Sequence, residues 1–375
     1  MRSRVSLILL LGLAIGCGSS EEVFAGELTA PVVYGEDDRV EVFNHPDDDL
    51  RSIARESIVA LIPTSWIERG PDGTYALAPS VQSLGELHGL CPDELFVDQP
   101  AAAVCSGVLI DDDLVLTAGH CIDSRMPCDG YAYVFNYHWG DLDDPTHLAV
   151  IRDEDVYSCA RVVSDGRPLL GDYTPDFAVV QLDRPVEGAH VPALVRPATP
   201  LDQGESLAMI GFGSGLPAKI DTGGAVADPR ADQLDYFVAN VDAFQGHSGS
   251  ATFDSENRLA GILIGGRTPD YVTLEGESCQ RVAAYPDSPA DEVIHNIAPI
   301  VTNLCDDGWD AEELCGPKAC EGQPCGSVLP PPGGGGVVPA DTSGCSTSTG
   351  STGFTSGLLG LLLFAVARRF RRRAA

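Results

Sequence analysis

Residues 105–122 read CSGVLIDDDLVLTAGHCI, and this stretch decides the fold. Two apolar runs of strand length flank a turn of aspartates, so His120 lies one strand and one turn beyond Cys105. A single histidine near strands is more often a packing or surface residue. The string TAGHC around His120 is far more specific, and it makes this histidine a candidate general base.

Similar short runs continue along the chain from about Pro31 to Leu304. They read YAYVFNY, FAVVQL, SLAMIGF, DYFVANV, SATF and RLAGILIGG, and most are bounded by turn residues. This pattern predicts an all-β barrel or sandwich. Residues 290–304, ADEVIHNIAPIVTNL, instead place apolar residues at helical spacing, which predicts a helix that closes the domain.

Composition excludes some partners. The chain has 375 residues, 44% of them hydrophobic, which is enough for a packed core. Its 55 acidic and 23 basic residues give a formal charge of −32, which disfavours binding to nucleic acid or to anionic membrane surfaces.

Residues 1–25 have the features of an export signal. Arginines precede an apolar run that is too short to span a bilayer, and small residues follow. The segment AIGC ending at Cys17 resembles a lipoprotein box and predicts lipidation of Cys17; cleavage after Ala25 is the alternative.

Export permits disulfides, and ten cysteines remain once Cys17 and Cys345 are set aside. The even number fits five bridges. The cysteines between residues 305 and 325 lack the paired spacing of a zinc site, so disulfides are favoured there as well.

The chain after the helix divides into three predicted segments. Residues 305–329 are rich in cysteine, residues 330–345 form a Pro/Gly linker, and residues 346–375 form a tail with a short apolar run and arginines. Together with Gly344-Cys345, this tail resembles the C-terminal sorting tags of myxobacterial surface proteins. The alternative is a weak membrane anchor that stays in place.

Two further stretches supply partners for His120. In FQGHSG, Ser248 stands in a turn between two glycines. This signal is weak alone, because a nucleophilic serine also needs a base and a group that orients the base. In YTPDFAVVQLDRPV, Asp176 precedes an apolar strand. An aspartate before a strand is usually a cap or turn residue, so each motif gains weight only from the others.

TAGHC, PDFAVVQLDRPV and QGHSGS, in this order, resemble the trypsin/chymotrypsin-fold serine endopeptidases over roughly residues 32–304. The resemblance implies two antiparallel six-stranded β-barrels with the catalytic residues in the cleft between them. It implies that His120 is the base, Asp176 its orienting carboxylate and Ser248 the nucleophile.

The resemblance also implies supporting features of the site. Cys105 would pair with Cys121, and the amides of Gly246 and Ser248 would form the oxyanion hole. No metal and no organic cofactor would be needed for this chemistry.

His247 precedes the nucleophile, where trypsin has an aspartate that pairs with a new N-terminus. A histidine cannot replace that carboxylate. VVYGEDDRVEVF, residues 32–43, together with FQGHSGSATF resembles the bacterial glutamyl-endopeptidase-like branch, whose sites commonly read GNSGS. His247 is therefore interpreted as a hydrogen-bonding residue of the turn.

Substrate preference is left open between two classes. Asp242 stands where trypsin attracts Lys or Arg, but Phe244 replaces a disulfide cysteine and Arg267 could neutralise Asp242 or select an acidic residue. The predicted pocket residues are Asp242, Gly265, Gly266 and Arg267.

The motifs and the export signal together predict a secreted, monomeric serine endopeptidase that acts on proteins or peptides at the cell envelope or outer-membrane surface. The alternative is an inactive peptidase-like binding module. Ile264 favours that alternative, because trypsin has at this place a serine that hydrogen-bonds the catalytic aspartate.

Overall fold

The computed structural model of the protein describes residues 33–35, 37–140, 147–168, 172–266, 268–284, 289–309 and 311–316. All of them lie in the first of the two units, 1–327 and 328–375, into which the chain divides. The strands are β1 Val40–Glu41, β2 Ile58–Pro63, β3 Ile67–Arg69, β4 Thr74–Leu77, β5 Cys105–Asp111, β6 Leu114–Thr117, β7 Tyr131–Val134, β8 Ile151–Arg152, β9 Val156–Gly166, β10 Phe177–Leu182, β11 Ala208–Gly211, β12 Lys219–Asp221, β13 Val226–Asp228, β14 Tyr236–Ala239, β15 Ala251–Phe253, β16 Leu259–Gly265, β17 Tyr271–Val272, β18 Arg281–Val282 and β19 Glu292–Asn296. The helices are α1 Asp48–Glu56, α2 Leu84–His88, α3 Ile297–Asp306 and α4 Glu312–Cys315.

The first barrel is closed and antiparallel, with strand order β10-β6-β5-β2-β7-β9. The two runs of the opening stretch form β5 and β6, which pair with Gly107 opposite Thr117. All four residues of β6 are buried, as are the first six of β5, because both strands face apolar neighbours on each side. The turn after β6 therefore starts from a rigid support.

The second half is an eight-stranded antiparallel sheet of order β1-β12-β11-β15-β16-β19-β14-β13. The stretch from β12 to β13 neighbours both β11 and β14. Between the two strands, Ala225 forms a bridge with Ser206 and its carbonyl accepts the amide of Asn240. Counted as one bent strand, β12 and β13 join the ends of the sheet into a six-stranded barrel, with β1 added outside. The predicted all-β fold with two antiparallel six-stranded barrels is confirmed.

The predicted helix over residues 290–304 is wrong in its first half. Residues 292–296 form strand β19, paired with β14 and β16 and buried throughout. Asn296 then caps α3 by accepting the amide of Ala298, and α3 packs its apolar side onto the core through Ile297, Ile300 and Leu304. The predicted C-terminal helix exists, but it begins later because long-range strand pairing takes the residues before it.

Four disulfides link the described cysteines: Cys91–Cys279, Cys105–Cys121, Cys128–Cys159 and Cys305–Cys315. The expectation of disulfides is confirmed at these positions, including the pair Cys105–Cys121. Within the described ranges no helix is long and apolar enough to cross a membrane. The predicted signal peptide with Cys17, the predicted linker 330–345 and the predicted tail 346–375 lie outside the described residues.

Candidate active site

His120 lies in a single 3-10 turn, Gly119–Cys121, directly after β6. The disulfide from Cys121 to Cys105 ties this turn to the start of β5. Gly119 has no room for a side chain, because an added Cβ would lie 2.5 Å from the carbonyl oxygen of Gly166. The position of the imidazole is therefore fixed by the pairing of β6, by the disulfide and by the close approach of the backbone at Gly119 to that at Gly166.

A second support for this turn comes from Arg167, which the sequence analysis did not single out. Its guanidinium donates to the carbonyl of Gly119 at 2.6 Å and to the carbonyl of Ile122. These carbonyls flank His120 on both sides. No motif marks Arg167. It follows β9, and only folding of the barrel brings it to the turn after β6.

Asp176, immediately before β10, meets His120 through both carboxylate oxygens. Oδ1 accepts the backbone amide of His120 at 2.9 Å, and Oδ2 lies 2.7 Å from Nδ1 of the imidazole. Asp176 is buried, with 5% of its surface exposed. Because the carboxylate can only accept, Nδ1 carries the proton and Nε2 is left with a free lone pair.

Nε2 of His120 lies 2.7 Å from Oγ of Ser248. The serine hydroxyl therefore donates to the imidazole nitrogen that can take its proton. The structure brings together all three predicted residues from separate places: a turn after β6, the start of β10 and the loop before β15. This carboxylate–imidazole–hydroxyl series is the hydrogen-bond pattern that activates a serine as a nucleophile.

The loop around Ser248 relies on two glycines with positive φ angles. Gly246 has φ +93° and Gly249 has φ +84°, and an added Cβ on Gly249 would lie 2.1 Å from the carbonyl oxygen of Ser106. Other residue types would be strained in this conformation. The G-x-S-G string thus reflects a sharp turn that exposes the serine.

The carbonyls of this loop are anchored, and that sets the direction of its amides. Gln245 O accepts the amide of Ser214 at 2.5 Å, and His247 O accepts the amide of Ser250 at 2.7 Å. In a trans peptide the N–H points opposite to the C=O, so the amides of Gly246 and Ser248 point away from these anchors. Neither amide has an acceptor within the described part of the chain. Two free donors beside Ser248 suit a developing oxyanion.

Ser106 links the two barrels at this loop and was missed by the sequence analysis. Its amide donates to the carbonyl of Ser248 at 2.8 Å, and its hydroxyl donates to the carbonyl of Gly246 at 2.9 Å. The same oxygen accepts the amide of Phe212 at 3.0 Å. The only sequence signal was its place beside Cys105 in the opening stretch.

His247 is buried and faces inward. Its Nδ1 accepts the amide of Phe244 at 3.1 Å, and its ring lies so close to Gly213 that an added Cβ there would be 2.4 Å away. Burial, together with the positive charges of Arg39 and Lys219, lowers the pKa of His247 to about 3. The imidazole is therefore neutral, and it acts as the hydrogen-bonding residue that the sequence predicted for this turn.

The predicted pocket residues are only partly brought together. Asp242 is buried, and its Oδ1 accepts the amide of Tyr34 at 2.9 Å. An added Cβ on Gly265 would meet nothing within 4 Å, whereas one on Gly266 would collide with the carboxylate of Glu292. Glu292 is an acidic residue next to this wall that the sequence analysis did not identify. Arg267 lies outside the described residues.

Two carboxyl groups near this region have raised pKa values. Burial raises the pKa of Asp242 to about 7, although the hydrogen bond from the amide of Tyr34 opposes the shift. Burial also raises the pKa of Asp270 to about 6, against the hydrogen bond that its Oδ2 accepts from the amide of Gln245. Both groups are therefore partly protonated near neutral pH or slightly below it.

The chain resembles a known protein family and several known proteins. The sequence profile of the trypsin-like peptidase domain matches residues 105–262, somewhat less than half of the chain. This match and the observed fold support a serine peptidase of the trypsin/chymotrypsin fold.

Two curated relatives are venom enzymes. The chain is 29% identical over 164 residues to snake venom serine protease catroxase-1 of Crotalus atrox, covering 44% of this chain and 57% of the relative. It is 26% identical over 164 residues to beta-fibrinogenase mucrofibrase-5 of Protobothrops mucrosquamatus, covering 44% and 58%. The chain thus spans a little over half the length of these relatives. A solved structure of Glu endopeptidase in complex with MPD aligns at TM-score 0.39 and 16% identity, over 63% of this chain and 88% of the other.

Proposed function

We propose that the protein is an exported serine endopeptidase that hydrolyses peptide bonds through His120, Asp176 and Ser248. The observation that carries the proposal is the unbroken series of hydrogen bonds from Asp176 to His120 Nδ1 and from His120 Nε2 to Ser248 Oγ, each 2.7 Å long. Such a series gives a serine hydroxyl both a base and a fixed direction.

In the first half-reaction, Ser248 Oγ attacks the carbonyl carbon of the substrate while His120 Nε2 takes the hydroxyl proton. The amides of Gly246 and Ser248 hold the oxyanion, and Asp176 stabilises the imidazolium. The imidazolium then gives its proton to the leaving amine as the C–N bond breaks. An acyl-enzyme remains on Ser248.

In the second half-reaction, His120 takes a proton from water, and the resulting hydroxide attacks the ester carbon. The tetrahedral intermediate collapses, Ser248 regains its proton from His120, and the acid product leaves. Every proton goes to or comes from a residue of this chain or water, so this route requires no cofactor.

Export and an envelope location, with action on protein or peptide substrates as a monomer, are part of this proposal. Four disulfides among the described cysteines support an oxidising compartment. The residue preference at the cleavage site stays open between a basic residue, for which the sequence offers Asp242, and an acidic one, for which it offers Arg267. Glu292, whose carboxylate lies against Gly266 of the predicted pocket wall, favours a basic residue.

A second candidate is a peptidase-like binding module. Ile264 is buried and apolar, so it gives the carboxylate of Asp176 no hydrogen bond from its side chain. Losing one supporting bond slows a triad enzyme much less than losing the serine, which costs on the order of a millionfold in a related triad. The enzyme is therefore favoured.

The deciding experiment is labelling of the purified mature protein with a fluorophosphonate probe, compared with Ser248→Ala and with Ser255→Ala. Ser255 is an exposed serine in the same barrel and serves as the matched control. Labelling that is lost only in Ser248→Ala supports the enzyme, and a mixed peptide library then separates Lys/Arg from Glu preference. A folded, disulfide-intact protein that takes no label would favour the binding module.

A further inference from the structure

Three aspartates from distant parts of the chain meet beside the loop that carries the nucleophile. Asp38 belongs to the N-terminal segment, Asp221 ends β12, and Asp242 precedes the oxyanion loop. One carboxylate oxygen from each lies within 4.8 Å of those of the other two. Asp221 and Asp242 are buried, whereas Asp38 is exposed.

The buried members are held in place by the backbone. Asp221 accepts the amide of Gly223 at 2.9 Å through Oδ1 and the amide of Asp242 at 2.8 Å through Oδ2. Asp242 accepts the amide of Tyr34 through Oδ1. Its other oxygen, Oδ2, is buried and has no hydrogen-bond partner in the described part of the chain.

An unpartnered carboxylate oxygen on a residue that is only 3% exposed is costly without a compensating charge. Burial raises the pKa of Asp221 well above its usual range, and the neighbouring Asp242 and Asp38 raise it further. The positive charge of Arg39 opposes the rise in the pKa of Asp242, but the hydrogen bonds of its guanidinium, 2.8 and 2.6 Å long, go to Asp37. The cluster therefore favours uptake of positive charge.

The ligand set suits calcium better than magnesium. Carboxylate oxygens that all lie within 4.8 Å of one another can share one ion. Calcium tolerates irregular oxygen geometry, whereas magnesium requires a near-ideal octahedron and releases its waters reluctantly. Exposure of Asp38 leaves one side open, where water can complete the coordination. A hard, oxygen-only ligand set excludes a zinc-like site.

We propose that Asp38, Asp221 and Asp242 form a calcium site that fastens the N-terminal segment and β12 to the loop leading to Ser248. The site is separate from the catalytic hydrogen-bond series, and it goes beyond the proposed peptidase function. Calcium bound here stabilises the folded domain, because a ligand that binds only the folded state shifts the unfolding equilibrium.

Two variants test the site in different ways. Asp38→Asn removes one charged ligand. Gly223→Ala keeps all three charges but places a Cβ 1.9 Å from Oδ2 of Asp38, which displaces the flexible end of that exposed side chain. Asp112→Asn, an exposed aspartate on the first barrel, is the matched control for loss of one negative charge.

The measurements are calorimetric calcium titration of the purified protein in 150 mM sodium chloride and thermal unfolding with EDTA, calcium or magnesium. With calcium about a hundredfold above Kd, we expect Tm to rise by roughly 5 °C in the wild type and in Asp112→Asn. We expect calcium affinity to fall at least tenfold in Asp38→Asn and in Gly223→Ala.

A wild type without calcium binding, equal affinity in both site variants and wild type, loss of binding in Asp112→Asn, or equal stabilisation by magnesium would each overturn the proposal.

Discussion

The replacement His247→Asn tests how the loop that carries Ser248 is held. Asparagine can still offer an oxygen to the amide of Phe244, but it does not titrate. Folded protein keeps His247 neutral down to a pKa of about 3, whereas the unfolded chain protonates this histidine below a pH of about 6.5. Below that pH the unfolded state binds the extra proton, so His247 makes stability rise with pH across this window.

The size of the change in the free energy of unfolding follows from the pH range between the two pKa values of His247. Each pH unit between the two pKa values is worth about 1.4 kcal/mol, so lowering the pH from 6.5 to 5 costs the wild type about 2 kcal/mol through His247. Asp242 and Asp270, whose pKa values are raised, act in the opposite direction, but they are present in both proteins. Their contribution therefore cancels in the difference between wild type and variant.

The assay is urea unfolding of both proteins at pH 5 and pH 6.5 with disulfides intact, extrapolated to water. We expect the stability of the wild type relative to His247→Asn to fall by about 2 kcal/mol at the lower pH. A relative stability that is the same at the two pH values would refute the assignment of His247 as a buried neutral residue.

Three further substitutions probe the same site. Ser106→Ala removes the hydroxyl that supports Gly246 O, so kcat should fall tenfold or more with KM nearly unchanged; unchanged kcat in steady-state assays would argue against a positioning role. Gly249→Ala should destabilise the fold by roughly 3 kcal/mol or more, and a thermal melt like that of the wild type would contradict the observed turn. Asp176→Asn should lower kcat by about 10⁴ with Tm little changed, and activity near the wild-type level would exclude Asp176 as the partner of His120.

The local motifs predicted the three residues that the structure brings within hydrogen-bonding distance: His120, Asp176 and Ser248. TAGHC follows a buried strand and PDFAVV opens one, so the side chains of His120 and Asp176 start from backbone that the first barrel fixes. The glycines around Ser248 marked a turn that only a residue without Cβ adopts easily. These features depend on a few neighbouring residues and on strand pattern, both of which a sequence displays.

What the sequence did not predict depends on contacts between distant residues. The apolar spacing of residues 290–304 fits a helix, but pairing with β14 and β16 makes its first part a strand. The bond from Ser106 to Gly246 depends on the contact between the two barrels. The approach of Glu292 to the predicted pocket wall depends on the packing of β19 against Gly266. The aspartate cluster joins residues 38, 221 and 242, and no pattern along the chain links them.

Contacts within the described part of the chain order the loop that carries Ser248. A neutral, buried His247 offers no counter-charge to an ammonium group, in contrast to the aspartate that trypsin has before its nucleophile. The guanidinium of Arg39 instead lies 3.7 Å from the ring centroid of Phe244, and the amide of Tyr34 donates to Asp242. Both contacts come from the segment that leads into β1, which pairs with β12. Packing of this segment therefore helps to order the chain just before Ser248.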